Sequence, residues 1–572
     1  MSSRFESFSI EILYEIFDYL SSYDIFHAFI NLNHRLNNII NSYPLKVDLR
    51  KISRLKFDYI CYYLQPEQVI SLIFSDDDMG DQVIVFYRYF PHFKYQFIHL
   101  RSIKFIRTDD ILSDLPYSVS ALTFQGCIYV SQLIINTIIK QAKSLTYLKV
   151  DCIHLLQLID TNFPSLTCLN IGHVGIRIFC CLLKRNESSF NDFHLWIKKL
   201  CSPINHLTIS IENQNLTDYY SILNFDYLSH CLTDLTLICL INKTYFSLEL
   251  IQYYLIKLSN LKSLTIVITL DLIDGKQWEE FLRKTQIVKF NFKFVLSKNV
   301  ISNQNQSTLL DSFRSSFWLE EKHWYVACNK HYCNQHSEIY VYSIPQFLPK
   351  CINYTKDHYP PLSTVPSDVE QHIFYSRHIE HLYLKFNKPI FPPNYRFIYV
   401  NSLVLVGPTL PSIDNVMSIV DLNRIKELDI SHIQNISISE IHLLLEHILH
   451  LNHLILKNVI PLFKPPSHIY SFTIENWRFS DDLYLFCRMF SHVKSLKIDI
   501  ISLEMMIELI NQLKYLENIV VWYNFEKHAP YISMNWLRRN IWRLRRKKFT
   551  CKEDDFYMLL SIGNNRKTHK IH

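Results

Sequence analysis

One six-residue pattern, apolar-x-x-apolar-x-apolar, recurs along most of the 572-residue chain and limits the folds open to it. Clear copies are Leu145-Thr-Tyr-Leu148-Lys-Val150, Leu166-Thr-Cys-Leu169-Asn-Ile171, Ile204-Asn-His-Leu207-Thr-Ile209, Leu232-Thr-Asp-Leu235-Thr-Leu237 and Leu261-Lys-Ser-Leu264-Thr-Ile266. A second set begins at Ile379, Val400, Ile425, Leu451, Val493 and Leu516, and weaker copies begin at Leu100, Val119, Ile287 and Ile469. The last two apolar positions of each copy alternate, as a half-buried strand requires. Successive starts lie mostly 18 to 29 residues apart, with one 38-residue step between Leu166 and Ile204. Helix-like stretches such as Val130 to Ala142 and Ser439 to Leu449 fill the intervals. One strand and one helix cannot bury a core alone, but a stack of such units can. The expected architecture is an α/β repeat running from Leu100 to Asn524.

The pattern stops between Phe294 and His378. There, Trp324-Tyr-Val-Ala-Cys328 and Ile339-Tyr-Val-Tyr-Ser343 read as two strands of a hairpin, and Pro360, Pro361 and Pro366 mark a loop. This stretch is expected either as irregular repeats with an edge hairpin or as an insert. The chain then divides into a helical module (1–45), a helical linker or cap (46–99), a first repeat block (100–293), the irregular segment (294–378), a second block (379–525) and a basic C-terminal segment (526–572).

Composition excludes several function classes. The chain is 48% hydrophobic and 20% charged, a globular balance, and its net charge of +6 is too small for a general nucleic-acid binder. It has 7 glycines where ordinary usage would give about 40. Phosphate-cradling loops need glycine for positive φ and close backbone approach. The one close pair, Gly172 and Gly175, makes no G-x-G-x-x-G or G-x-x-x-x-G-K-[ST], and G-x-S-x-G is also missing. No catalytic motif appears, so no enzyme and no cofactor is expected. Glu6, Glu11, Glu15 and Asp18 interrupt the first twenty residues, unlike a secretory h-region, and no apolar run reaches membrane-spanning length. Fourteen scattered cysteines read as reduced core thiols of a cytoplasmic or nuclear protein.

Residues Phe5 to Asn41 differ in character. Ile12, Leu13, Ile16, Phe17 and Leu20 recur at helical spacing behind Ser9 as N-cap, with Glu11 in the first turn. Two further short helices follow, Asp24 to Ile30 and Asn31 to Ile40. Such a module is too small to be stable alone and must be completed by a partner or by the repeats. Phe8-Ser-Ile-Glu-Ile-Leu-Tyr-Glu-Ile-Phe-Asp-Tyr-Leu20, Ser22-Tyr-Asp-Ile25 and Asn33-His-Arg-Leu36 resemble an F-box. The spacing of the later copies resembles leucine-rich repeats, without the asparagine that usually follows the strand. The whole chain is similar to F-box proteins carrying such repeats, and Trp318-Leu with His323-Trp-Tyr-Val326 fits one expanded group of them. Ser9 stands where that family has proline, and Leu36 where it has an aromatic residue.

The resemblance implies a three-helix F-box-like module followed by an irregular horseshoe solenoid. It also implies a non-catalytic substrate receptor of a Skp-cullin-F-box ubiquitin ligase. Phe8, Ile12, Leu13, Ile16, Phe17, Leu20 and Ile25 would then contact the Skp-type adaptor, and the solenoid would hold a protein substrate. The alternative is an interaction scaffold that does not bind the adaptor, its module serving as a helical cap on the first turn.

In the strand pattern the third and fifth positions face away from the core. They give Tyr147 and Lys149, His206, Asp234, His381 and Tyr383, and Glu427 and Asp429 as the expected substrate surface. Mixed charge there fits a protein ligand better than phosphate, and tyrosine is enriched in binding hot spots.

Other clusters carry blander readings. Cys328-x-x-His331-x-Cys333-x-x-His336 packs its pairs too tightly for an ordinary zinc site, and no metal is expected. His442, Glu446, His447, His450 and His453 lack H-E-x-x-H order and read as solvated. Asp76-Asp77-Asp78 beside Gly80 reads as an exposed acidic turn. Arg538, Arg539, Arg543, Arg545, Arg546, Lys547 and Lys548 read as an amphipathic basic helix, either capping the array or touching nucleic acid or membrane.

Overall fold

The computed structural model describes residues 8–108, 114–126, 132–150, 161–175, 204–212, 228–239, 247–270, 273–296, 306–333, 336–354, 362–366, 376–386, 396–457, 464–475, 483–500, 502–523, 532–545, 547–553 and 557–563. The chain is mixed α/β and builds two mostly parallel sheets, of 13 and 10 strands. All fifteen copies of the six-residue pattern lead into strands, from Ser102–Ile106 to Asn518–Tyr523. Through each parallel stretch the strand order follows the chain order, so each copy pairs with the next. The apolar positions of the pattern go inward: Leu145, Leu148 and Val150 are 0–1% exposed, as are Leu232, Leu235 and Leu237. Each buried Leu or Ile contributes about 1.5–3 kcal/mol, and stacking in register repeats that gain at every turn.

Two strands precede the expected start. Leu45–Asp48 and Val69–Ser75 pair in parallel with each other, and the second pairs with Ser102–Ile106. The segment expected as a helical linker or cap (46–99) carries three α-helices, Arg54–Tyr63, Gln82–Tyr89 and Phe93–Gln96, but its strands also extend the first sheet by two. Val69-x-x-Leu72-x-Phe74 is itself a copy of the pattern, with all three apolar residues fully buried.

Towards its end the first sheet contains the expected hairpin, with the short strand Leu362–Ser363 paired outside it. Tyr325–Cys333 and His336–Ile344 pair antiparallel, with Cys328 opposite Val341, and the second of them pairs with Lys289–Leu296. The hairpin has two packed faces. Val326, Cys328, Ile339 and Val341 join the core beneath the first sheet, whereas Ala327 and Tyr342 join the core beneath the second. The second sheet starts at Cys351–Tyr354, which pairs with His381–Lys385.

The C-terminal segment is not one basic helix. A helix at Met534–Asn540 and a turn at Trp542–Leu544 lead into an antiparallel pair, Phe549–Glu553 with Tyr557–Ile562, that closes the far edge of the second sheet. Leu537, Ile541 and Leu544 are all fully buried, so the apolar spacing was the stronger signal in this stretch.

Residues 54–89 lie against residues 548–563. Ser561 Oγ donates to the carbonyl of Asp78 at 3.1 Å, and the Lys548 ammonium lies 5.7 Å from the centre of the Tyr89 ring. Gly563 lies against Arg54 and Asp58, and Gly80 against Lys552. Asp76-Asp77-Asp78 is consequently part of this seam, and of the three expected to be exposed only Asp77 is. Asp76 is buried and accepts from Gln82 N–H at 3.0 Å, while Asp77 pairs with Arg107 at 3.1 Å.

Candidate functional site

Three short helices form the N-terminal module: α1 (Ile10–Asp18), α2 (Ser22–Phe29) and α3 (His34–Ser42). Each starts at a residue whose side chain accepts an otherwise unpaired helical N–H. Ser9 accepts from Ile12, Ser21 from Asp24 and Asn33 from Leu36. Leu13 and Phe17, four apart on α1, turn inward with Ile25 and Phe26 of α2 and become part of the core beneath the first sheet. Helix α2 packs on α4 (Arg54–Tyr63) and on the first strand.

This packing divides the seven residues expected at an adaptor interface. Leu13, Phe17 and Ile25 are 0–1% exposed and hold the module to its own chain, so they cannot contact an adaptor. Phe8, Ile16 and Leu20 are half-buried against the same core. Ile12 is 44% exposed and stands in a second stripe with Ile16 and Tyr19, at i, i+4 and i+7. Tyr19, 92% exposed, was missed by sequence reasoning although the i+7 spacing marks it. Leu36 is buried within the module, so its departure from the family pattern concerns packing. Tyr43 ties the module together: its ring meets Phe17 edge-on, and its hydroxyl donates to Asp18 at 2.8 Å.

The expected substrate residues share one face of the sheets. In the first sheet Tyr147, Cys168, His206 and Asp234 are successive register partners, and Lys149, Asn170, Thr208 and Thr236 form the next row. In the second, His381, Ser402, Glu427 and His453 are successive partners, with Tyr383, Val404 and Asp429 beside them. The apolar residues between these positions point into the core, so the polar ones project together on the opposite side. His206 Nδ1 lies 2.9 Å from Asp234 Oδ2.

The second sheet carries a continuous hydrogen-bond chain across four strands. Ser402 Oγ donates to Glu427 Oε1 at 3.0 Å, and the other carboxylate oxygen is 3.0 Å from His453 Nδ1. His453 Nε2 is 2.9 Å from Thr473 Oγ1. The bond from His453, with Ser402 and His381 adding to it, holds the Glu427 carboxyl down to about 2. An ionised Glu427 accepts only, so Nδ1 carries the proton and Nε2 faces the hydroxyl. Sequence reasoning missed this chain because its members are 20 to 26 residues apart and meet only through register.

The remaining candidates separate. His447 Nδ1 lies 2.9 Å from its own helix at the Leu443 carbonyl, while His453 sits on a strand. The side chains of His331, Cys333 and His336 lie outside the described residues, as does Arg546. Among the described residues no group of three metal-competent side chains converges, and no helix is long and apolar enough to cross a membrane. Burial pushes the thiols of Cys239, Cys328, Cys487 and Cys551 up to about 12, which keeps them protonated and poorly nucleophilic.

The basic stretch also divides. Arg543 is buried, and its guanidinium donates to the carbonyls of Ile510, Leu513, Lys514 and Leu516. Lys548 lies over Tyr89, and Arg538 over Phe549. Arg539 and Arg545 are exposed, and Lys547 is half-buried.

Comparison with protein-family models finds no match for the chain, and comparison with curated proteins finds none either.

Proposed function

We propose that this chain is a non-catalytic substrate receptor of a Skp-cullin-F-box type ubiquitin ligase. In this reading α1 to α3 are an F-box-like module that docks a Skp-type adaptor, and the strands and helices after them are a leucine-rich-repeat-like solenoid that holds a protein substrate. The observation that carries the reading is the division of α1 into two apolar stripes. Leu13 and Phe17 satisfy the module's own core, yet Ile12 and Tyr19 remain in water on the neighbouring face. An exposed apolar stripe on a rigid, capped helix is the feature a protein partner would cover. Polar side chains aligned in register offer a separate surface for a substrate, so the two partners need not compete.

One observation favours the scaffold alternative. The module shares a continuous core with the first sheet, as a helical cap without any adaptor would. Nucleic-acid or membrane binding through the basic stretch has less support, because Arg543 is turned inward and Lys548 packs on Tyr89.

The deciding experiment is co-purification with a Skp-type adaptor, comparing the wild type with Ile12→Asp/Tyr19→Asp. Both positions are exposed, so the variant should fold as the wild type does. Losing two apolar contacts of about 1.5–2 kcal/mol each should weaken binding by a few hundredfold. No capture by the wild type at micromolar concentrations would overturn the adaptor reading and leave the module as a cap.

A further inference from the structure

The seam between residues 54–89 and 548–563 is built into the sequence. The chain has only 7 glycines, and two of them face each other's half of the molecule there. A Cβ on Gly80 would lie 2.7 Å from the Lys552 Cβ, and one on Gly563 would lie 2.9 Å from Asp58 Oδ2 and 3.1 Å from Arg54 Cγ. Neither glycine adopts positive φ, so close approach and not backbone conformation is what excludes a side chain at these positions. The last strand agrees. Tyr557–Ile562 runs apolar almost throughout, and Met558 to Ile562 are all 0–3% exposed. A strand buried on both faces needs cover on both, and the Asp76–Gly80 turn supplies it over Ser561.

The seam differs from the interior of either half. The buried apolar residues of the two halves form two separate clusters, and the hairpin contributes to both, Val326 and Val341 to the first and Ala327 and Tyr342 to the second. Across the seam the described contacts include a hydroxyl–carbonyl bond, a cation over a ring, glycine against charged side chains, and the charge of Asp78 acting with that of Lys497. Segments held by few apolar contacts open at lower cost than core strands.

Size then decides what can reach the polar face. Strands stack about 4.8 Å apart and helices about 10 Å apart, so a stack of such units curves with its strands inside. Twenty-three strands around a closed circuit give an inner circumference near 110 Å, a diameter of about 35 Å, and roughly 25 Å once side chains are allowed for. An α-helix is about 10–12 Å across, whereas a folded domain of about 100 residues, with a radius of gyration near 13 Å, spans about 34 Å.

We propose that the chain is a closed ring whose inner face receives a slender polypeptide segment, a single helix or an extended stretch, and that a folded domain enters only when the seam opens. This does not depend on adaptor binding. The inner rows suit such a segment, because the hydroxyls of Thr208 and Thr236 are neutral and His206 with Asp234, like His453 with Glu427, is paired within the wall.

The test uses the full chain with Thr236→Cys inside the ring and, separately, Leu449→Cys outside it. Each is treated with N-ethylmaleimide and with a long poly(ethylene glycol) maleimide whose coil exceeds the lumen. Loss of the unmodified peptide carrying the introduced cysteine is followed by mass spectrometry, which separates it from the native thiols. The polymer-to-small-reagent rate ratio at residue 236 should fall about tenfold or more below that at residue 449, because a coil end must be confined to enter. Gly563→Trp, which forces the seam apart, should restore the ratio. Gly80→Trp is the second wedge should the first fail to fold. Equal ratios at the two sites, or a low ratio that neither folded wedge variant raises, would overturn the proposal.

Discussion

Replacing Arg543 tests how the second sheet is held at its far edge. Its guanidinium donates four hydrogen bonds of 2.5 to 3.0 Å, to the carbonyls of Ile510, Leu513, Lys514 and Leu516. Ile510 lies in the last turn of the helix Leu503–Gln512, and the others lie on the path from it to the strand Asn518–Tyr523. The last carbonyls of a helix have no partner within it, and a cation there also meets the negative end of the helix dipole. Arg543→Met keeps the aliphatic stem but removes four hydrogen bonds, and among the described residues only the Leu513 carbonyl keeps another donor, the Leu516 N–H at 3.1 Å. At about 1 kcal/mol for each bond lost, a low figure because water will reach some of the freed carbonyls, the loss is about 4 kcal/mol. Burial already opposes the charge, pushing the guanidinium down to about 10. Removing the charge recovers part of that cost, leaving a net loss of about 3 kcal/mol. Repeat arrays open locally, so the assay is hydrogen exchange of 503–512 and 518–523 alongside urea unfolding. A loss of about 3 kcal/mol accelerates exchange there about a hundredfold. Arg543→Lys keeps the charge without the planar fork and should recover less than half of the loss. Exchange in Arg543→Met within about threefold of wild type would show that the carbonyls are solvated and that the argument is wrong.

Three other outcomes follow from the same structure. Glu427 has its pKa lowered from 4.5 to about 2, so its contribution is complete above pH 4.5 and is lost as pH falls from 4.5 towards 2. Its side chain is 42% exposed, so after screening the contribution is about 1–2 kcal/mol, and Glu427→Gln should flatten that part of a stability–pH curve measured by urea midpoints. Phe17→Ala should cost about 3–5 kcal/mol and reduce adaptor capture only through loss of folded module, seen as protease sensitivity of residues 8–42 that Ile12→Asp/Tyr19→Asp does not share. Trp278 is fully buried and its indole N–H has no partner among the described residues, so Trp278→Phe should cost less in thermal unfolding than a typical Trp truncation of about 3 kcal/mol.

The strands were the most legible part of this chain because their burial is one-sided and repetitive. Leu235 and Leu237 go inward and Asp234 and Thr236 outward, and that alternation survives in the sequence whatever the connection between strands does. What was hidden had a competing signal. Val69–Ser75 follows a helix and Pro66 in a stretch that reads as helical throughout, and the terminal pair Phe549–Glu553 and Tyr557–Ile562 lies behind a run of cations. In both places the apolar residues carried the fold: Leu72 and Phe74 in one, Met558 and Leu560 in the other, all fully buried. Charge drew attention to Arg543 as a surface residue. Its role comes from orphaned carbonyls 27 to 33 residues earlier, which sequence spacing does not display.

The candidate surfaces were legible to different depths for a related reason. On α1, helical periodicity identifies apolar residues but not which stripe faces the chain's own core. Leu13 and Ile12 are adjacent and equally apolar, and only the position of α2 and the first strand decides that one is buried and the other wet. The sheet face is the opposite case, since alternation states the facing of Glu427, His453 and Thr473 while their meeting depends on register. A register shift of one residue would turn these side chains into the core and bring Leu428 and Leu454 out. The leucines that bury the wall therefore also hold Ser402, Glu427, His453 and Thr473 in line, and weakening that packing should disorder the polar chain before it unfolds the sheet.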